Sequence, residues 1–144
     1  MPLPDVDGWM IDFRTARDIF ASFNNERIDH CVSMCARGSL FACYCEQDLF
    51  KQLPALKQNF IQDHKCILVP DEDVMRRCIG ISKTPLAKER LVGNESALFL
   101  AATAAARNFG VISNHQSIVY TTVGDLCQHY GIPFLCADQY FALL

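Results

Sequence analysis

The stretch Glu95–His115, ESALFLAATAAARNFGVISNH, decides how the rest of the chain is read. Its first part is crowded with Ala and Leu and lacks Gly and Pro until Gly110, so it predicts a helix over Glu95–Asn108. Asn94 stands where an N-cap belongs, and Glu95 complements the positive end of the helix dipole. Gly110-Val111-Ile112-Ser113 follows as a short apolar run, too brief for a helix and without polar alternation. A strand of that kind is covered on both faces, as in a parallel sheet between layers of helices.

The same grammar recurs outward from this stretch. Trp9-Met10-Ile11, Leu40-Phe41-Ala42-Cys43, Cys66-Ile67-Leu68-Val69 and Ile132–Cys136 are also short apolar runs. Helical spacing separates them. Ala16, Ile19, Phe20 and Phe23 predict a helix over Thr15–Phe23, and Ile28, Cys31, Val32 and Cys35 one over Glu26–Ala36, closed by Gly38. Leu49, Phe50 and Leu53 continue the pattern, and Pro54 opens a further helix carrying Leu56, Phe60 and Ile61. Asp71-Glu72-Asp73 marks a helix start ahead of Val74, Met75, Cys78 and Ile79. Gly80–Gly93 is the least regular segment, and Thr122–Tyr130 is a helix ended by Gly131. Asp138–Leu144 is a short apolar tail of about one helical turn, able to pack into the core or into a homodimer. Strands alternating with crossovers of this length predict an α/β sandwich around a parallel sheet of about five strands.

The chain's 144 residues suit one domain over 1–144, and 51% hydrophobic residues exclude a disordered polymer. A net charge of −3 argues against a protein that coats nucleic acid nonspecifically, but not against an acidic metal site that meets nucleic acid locally. No basic segment followed by an apolar run and cleavage site is visible, and the apolar runs are far shorter than a membrane span. The expectation is a cytoplasmic protein with no membrane partner, whose thiols stay reduced. Its eight cysteines contain no CxxC pair, so they read as buried thiols filling the core rather than as zinc ligands.

Ligands of open parallel sheets bind at the carboxyl ends of the strands. Asp12 follows the first apolar run, and Glu46 and Asp48 follow the second. Glu95 opens the helix leading to the fourth, Ser113, Asn114 and His115 follow it, and Asp138 follows the fifth. Carboxylates gathered at one sheet edge repel unless a cation offsets the charge, and oxygen ligands suit Mg²⁺ or Mn²⁺. Each acid also has a structural reading: Asp12 as a strand terminator, Glu46 and Asp48 on a solvated helix face, Glu95 as a dipole partner. His115, Lys83, Lys88 and Arg90 read as solvated loop residues, and Ser113 with His115 lacks the setting of a nucleophile triad.

These segments resemble the PIN-like domain family. The resemblance is carried by GNESALFLAATAAARNFGVISNHQS (93–117), DLCQHYGIPFLCADQYF (125–141), WMIDF (9–13) and LFACYCEQDLFKQL (40–53). It implies a three-layer α/β/α sandwich with a central parallel sheet and a metal-dependent nuclease site. On that likeness Asp12, Asp48 and Glu95 would be the catalytic acids holding Mg²⁺ or Mn²⁺, with Glu46 competing with Asp48. The family's acid after the fourth strand falls on Asn114 or His115, and Asp138 could supply a replacement. Arg14 stands where the family usually has Ser, Thr or Asn. With Ser113 it becomes a candidate for binding substrate phosphate. The implied function is an endoribonuclease in which metal-activated water attacks a phosphodiester, with RNA as substrate and an antitoxin or other protein as partner. A degenerate module that binds RNA or a protein without catalysis is the alternative. A receiver-like domain fits less well, because Asp12 has no acidic neighbour and no Lys follows Leu135.

Overall fold

The computed structural model describes residues 2–52, 66–90, 95–116 and 121–144. In chain order the elements are β1 (Gly8–Ile11), α1 (Phe13–Ala21), α2 (Asn25–Ala36), β2 (Leu40–Cys43), a 3-10 turn (Tyr44–Glu46) and α3 (Gln47–Phe50). There follow β3 (Ile67–Leu68), α4 (Glu72–Ser82), α5 (Pro85–Arg90), α6 (Glu95–Arg107), β4 (Phe109–Ile112), α7 (Val123–Tyr130), β5 (Phe134–Leu135) and α8 (Ala137–Ala142). The expected α/β sandwich is present. The five strands are ordered β3-β2-β1-β4-β5 and every neighbouring pair is parallel.

β1 lies at the centre, with Met10 level with Phe41 on one side and Val111 on the other. Successive side chains alternate between faces. Trp9 and Ile11 join Leu40, Ala42 and Ile112 in a core against α1, α2 and α8, built around Phe20, Met34 and Tyr140. Met10, Cys43 and Val111 point the other way, into a core against α4, α6 and α7 that includes Val74, Leu100, Ala101 and Leu126. Two apolar layers on one sheet make the three-layer α/β/α arrangement, and they explain why the strands lack polar alternation. Gly110 sits beside Trp9 in the register, and a Cβ there would run into the indole ring.

Capping sets where the helices begin. Asp12, Asn24 and Asp71 accept from the backbone N–H three residues on, at 2.9, 3.2 and 2.9 Å. Thr122 and Asp125 form a reciprocal capping box on α7. Gly131 ends α7 with φ 68, a left-handed backbone that glycine adopts at little cost. Among the described residues, no helix is long and apolar enough to cross a membrane.

Two expectations change. Gly80–Gly93, read as irregular, contains the end of α4 and all of α5, where Thr84 Oγ1 accepts from the Ala87 N–H at 3.3 Å and Pro85 takes the first helical position. The cysteines are not all free thiols. Cys35 and Cys66 form a disulfide with Cα atoms 6.1 Å apart, because the end of α2 packs on the residue entering β3. Cys31, Cys43, Cys78 and Cys127 are buried free thiols, as core filling requires, but Cys45 is exposed. In the C-terminal tail Tyr140 is buried and Phe141 packs against the same core, while Asp138, Gln139, Ala142 and Leu144 are exposed. Leu53, the helix opened by Pro54 with Leu56, Phe60 and Ile61, the Asn94 cap and the Arg90 side chain lie outside the described residues.

Candidate functional site

The ends of β1, β2 and β4 meet at the carboxyl edge of the sheet, with Asp12 directly after β1, Ser113 directly after β4 and Glu46 closing the turn after β2. Asp12 comes directly after β1 and is buried. Its Oδ1 accepts from the Thr15 N–H at 2.9 Å, and its Oδ2 accepts from the Ser113 hydroxyl at 2.5 Å. Ser113 comes directly after β4, and its Oγ also accepts from the His115 N–H at 3.1 Å. The Asp12 carboxylate is thus held from both sides, by its own helix and by the neighbouring strand.

Glu46 closes the 3-10 turn after β2 and is also buried. Its Oε1 accepts from the Phe13 N–H at 3.2 Å, which brings it beside Asp12. Burial, and then the negative charge of Asp12, push the Glu46 carboxyl up to about 7, against a smaller opposing effect from the Phe13 amide. A proton on Glu46 relieves its repulsion with Asp12.

These residues line a cavity of about 320 Å³. Arg14 and Arg17 from α1 stand on its wall, and Ser96, Ala97 and Leu100 from α6 line another side. Arg14 is exposed, while the Arg17 guanidinium lies 3.7 Å from Asp18 and 5.9 Å from the centre of the Phe13 ring. His115 is half-buried rather than a solvated loop residue, and it lines this cavity and a neighbouring groove of about 930 Å³. Gln116, Gln128, Asp125 and Phe134 line that groove.

The sequence-expected residues divide accordingly. The structure brings together Asp12, Glu46, Arg14, Ser113 and His115. It does not bring Asp48 with them. That side chain is 97% exposed and lies 3.5 Å from Lys51 Nζ. The reason is helical phase: Glu46 and Phe50 share the buried face, and the exposed Asp48 and Leu49 fall outside it. Glu95 is exposed at the start of α6, one residue before the cavity-lining Ser96.

Asn114 has a structural task. Its N–H donates to Thr15 Oγ1 at 2.8 Å and its Oδ1 accepts from the Ala137 N–H at 2.8 Å, tying the end of β4 to α1 and α8. Asp138 is paired with Arg27 at 2.8 Å, in a separate cleft shared with His30 and Phe141. Arg17, Thr15 and the Gln-lined groove had no sequence signal. Their roles depend on how α1 and α7 sit over the sheet edge, not on local spacing.

Two carboxylates with nearby hydroxyl and water-accessible space are oxygen donors of the kind that hold Mg²⁺ or Mn²⁺, which retain several waters and need only one or two protein carboxylates. Among the described residues no group of three or more His, Cys, Asp or Glu could hold a metal ion. The remaining coordination positions of a bound ion would therefore belong to water and substrate. No family model matches the chain, and no match is found among curated proteins.

Proposed function

We propose that this chain is a divalent-metal-dependent ribonuclease of PIN-like type, in which Asp12 and Glu46 hold Mg²⁺ or Mn²⁺. The observation that carries the reading is the convergence of these two buried carboxyl groups at the carboxyl edge of a parallel sheet, with Glu46 pushed up to about 7. A bound ion of this kind supplies an activated water and stabilises charge on a phosphodiester. Ser113 and the Thr15 amide fix the Asp12 carboxylate, and the Phe13 amide fixes Glu46. Arg14 and Arg17 attract the phosphate from the open side. On this reading RNA is the substrate and an antitoxin-like protein is a natural partner.

The test pairs calorimetry with Mn²⁺ and cleavage of RNA, for wild type, Asp12→Asn and Glu46→Gln. Wild type should bind the ion and cut RNA, and both variants should lose at least 100-fold in cleavage, about 2.7 kcal/mol of transition-state stabilisation. Equal cleavage by all three would overturn the proposal. A second reading, a binding module without catalysis, is favoured by one observation. Three of the four oxygens of the pair already accept protein donors, and Asp48 and Glu95 stand exposed. RNA binding without Mn²⁺ binding would select it.

A further inference from the structure

We propose that Cys43 and Cys45 form a redox-modifiable dithiol that closes to an intramolecular disulfide by exchange with a small-molecule disulfide. Cys43 lies in the core it shares with Cys78 but faces the exposed Cys45. Cys31, Cys78 and Cys127 are buried free thiols in the two cores, and Cys35 is already joined to Cys66. Cys43 and Cys45 instead face each other where β2 gives way to the 3-10 turn, with Sγ atoms 2.7 Å apart. Cys43 is extended (φ −75, ψ 139) and the chain turns at Tyr44, which places both thiols on one side. A disulfide requires about 2.05 Å between the sulfurs, so closure needs an approach of well under 1 Å. Cys45 is exposed, which gives an outside reagent a point of attack, and Cys43 is buried directly behind it.

The chemistry balances with one named co-reactant, an oxidised low-molecular-weight disulfide such as glutathione disulfide. One thiol of the pair releases its proton to water, and its thiolate attacks one sulfur of the reagent. A mixed disulfide forms and the first small thiolate leaves. The other thiol, deprotonated in turn, attacks the protein sulfur of the mixed disulfide, and the second small thiolate leaves. The protein gives up two electrons and two protons, and the reagent becomes two thiols.

The position of the pair has a consequence for its neighbour. Glu46 is the next residue after Cys45, and its side chain reaches the Phe13 N–H from the turn that closure would tighten. Oxidation therefore acts on the backbone that sets Glu46 beside Asp12. The dithiol chemistry itself is independent of what the Asp12–Glu46 cavity does.

The sequence makes the test direct. Trypsin releases Gly38–Lys51, GSLFACYCEQDLFK, which carries Cys43 and Cys45 and no other cysteine. The full chain is equilibrated in glutathione buffers of increasing oxidised share, quenched in acid, alkylated, digested and weighed. The peptide should pass from doubly alkylated to an unalkylated form lighter by its two thiol hydrogens. That change should take about a hundredfold range of the oxidised-to-squared-reduced glutathione ratio, as one two-electron couple requires. Cys43→Ser should trap a glutathione adduct on Cys45. A peptide that stays doubly alkylated throughout, or a cross-link from Cys43 to the Cys78–Lys83 peptide, would overturn the proposal.

Discussion

Replacing Glu46 by Gln should stabilise the protein at alkaline pH and leave it nearly unchanged in mild acid. In the folded chain the Glu46 carboxyl is raised from 4.5 to about 7, mainly by burial and then by the charge of Asp12. The unfolded chain offers neither effect. Between these two values the folded state holds a proton that the unfolded state has lost, so stability falls as pH rises. At about 1.36 kcal/mol per unit, the raised carboxyl costs roughly 3 kcal/mol once pH exceeds the folded value. Gln has the same shape, carries no charge, and its Oε1 can still accept from the Phe13 N–H. The difference between variant and wild type should therefore be near zero at about pH 4.5, grow through neutrality and level at roughly 3 kcal/mol by about pH 8. For a chain of this size that corresponds to a rise in Tm of about 6–12 °C at the upper pH. Urea unfolding followed through Trp9, the sole tryptophan and a buried one, reads this directly when a chelator is present. Comparing the two proteins at each pH cancels the other titrating groups. A difference that does not change with pH would refute the reasoning, because it would mean that Glu46 ionises as freely folded as unfolded. Adding Mn²⁺ in excess at about pH 8 should narrow the gap by stabilising wild type alone.

Four further outcomes follow from the same geometry. Asp12→Asn keeps a capping oxygen for the Thr15 N–H, so its Tm should stay within about 3 °C of wild type while RNA cleavage is lost. Ser113→Ala leaves Asp12 Oδ2 and the His115 N–H without their partner, and urea unfolding should show a loss of about 1–3 kcal/mol. Gly110→Ala drives a methyl into the Trp9 ring and should cost about 1–3 kcal/mol or more, with a shifted tryptophan emission in the folded protein. Opening the Cys35–Cys66 bond with a reductant frees a loop spanning 31 residues, and should lower stability by about 3–4 kcal/mol on the chain-entropy account, read as a lower urea midpoint.

The local content of the fold was legible in the sequence because it depends on near neighbours. The apolar run Trp9-Met10-Ile11 is a buried strand on any reading, since alternate residues feed two opposite cores. Gly131 and Thr122 mark the ends of α7 through chemistry confined to a few residues. The order of acids along the chain also placed Asp12 at a strand end. Leu49 fits helical spacing yet is 40% exposed, because Phe50 is the buried anchor of that turn and Glu46 shares its face. Met75 and Ile79 gave a helix by spacing, yet they are 43% and 53% exposed on it.

The sequence by itself determined the strand and helix pattern, and with it a parallel sheet covered on both faces. Tertiary structure alone decided which acids meet. Glu46 reaches Asp12 because β2 lies next to β1 and a 3-10 turn bends inward at the sheet edge. Asn114 became a clip and Asp138 a partner of Arg27 because α8 packs over α1 and α2. The disulfide exists because residues 31 apart in sequence face each other across that same layer. Spacing along a chain sets which face a side chain takes, but which side chains share a cavity depends on the order of strands and the seating of helices, and these arise from packing the whole core.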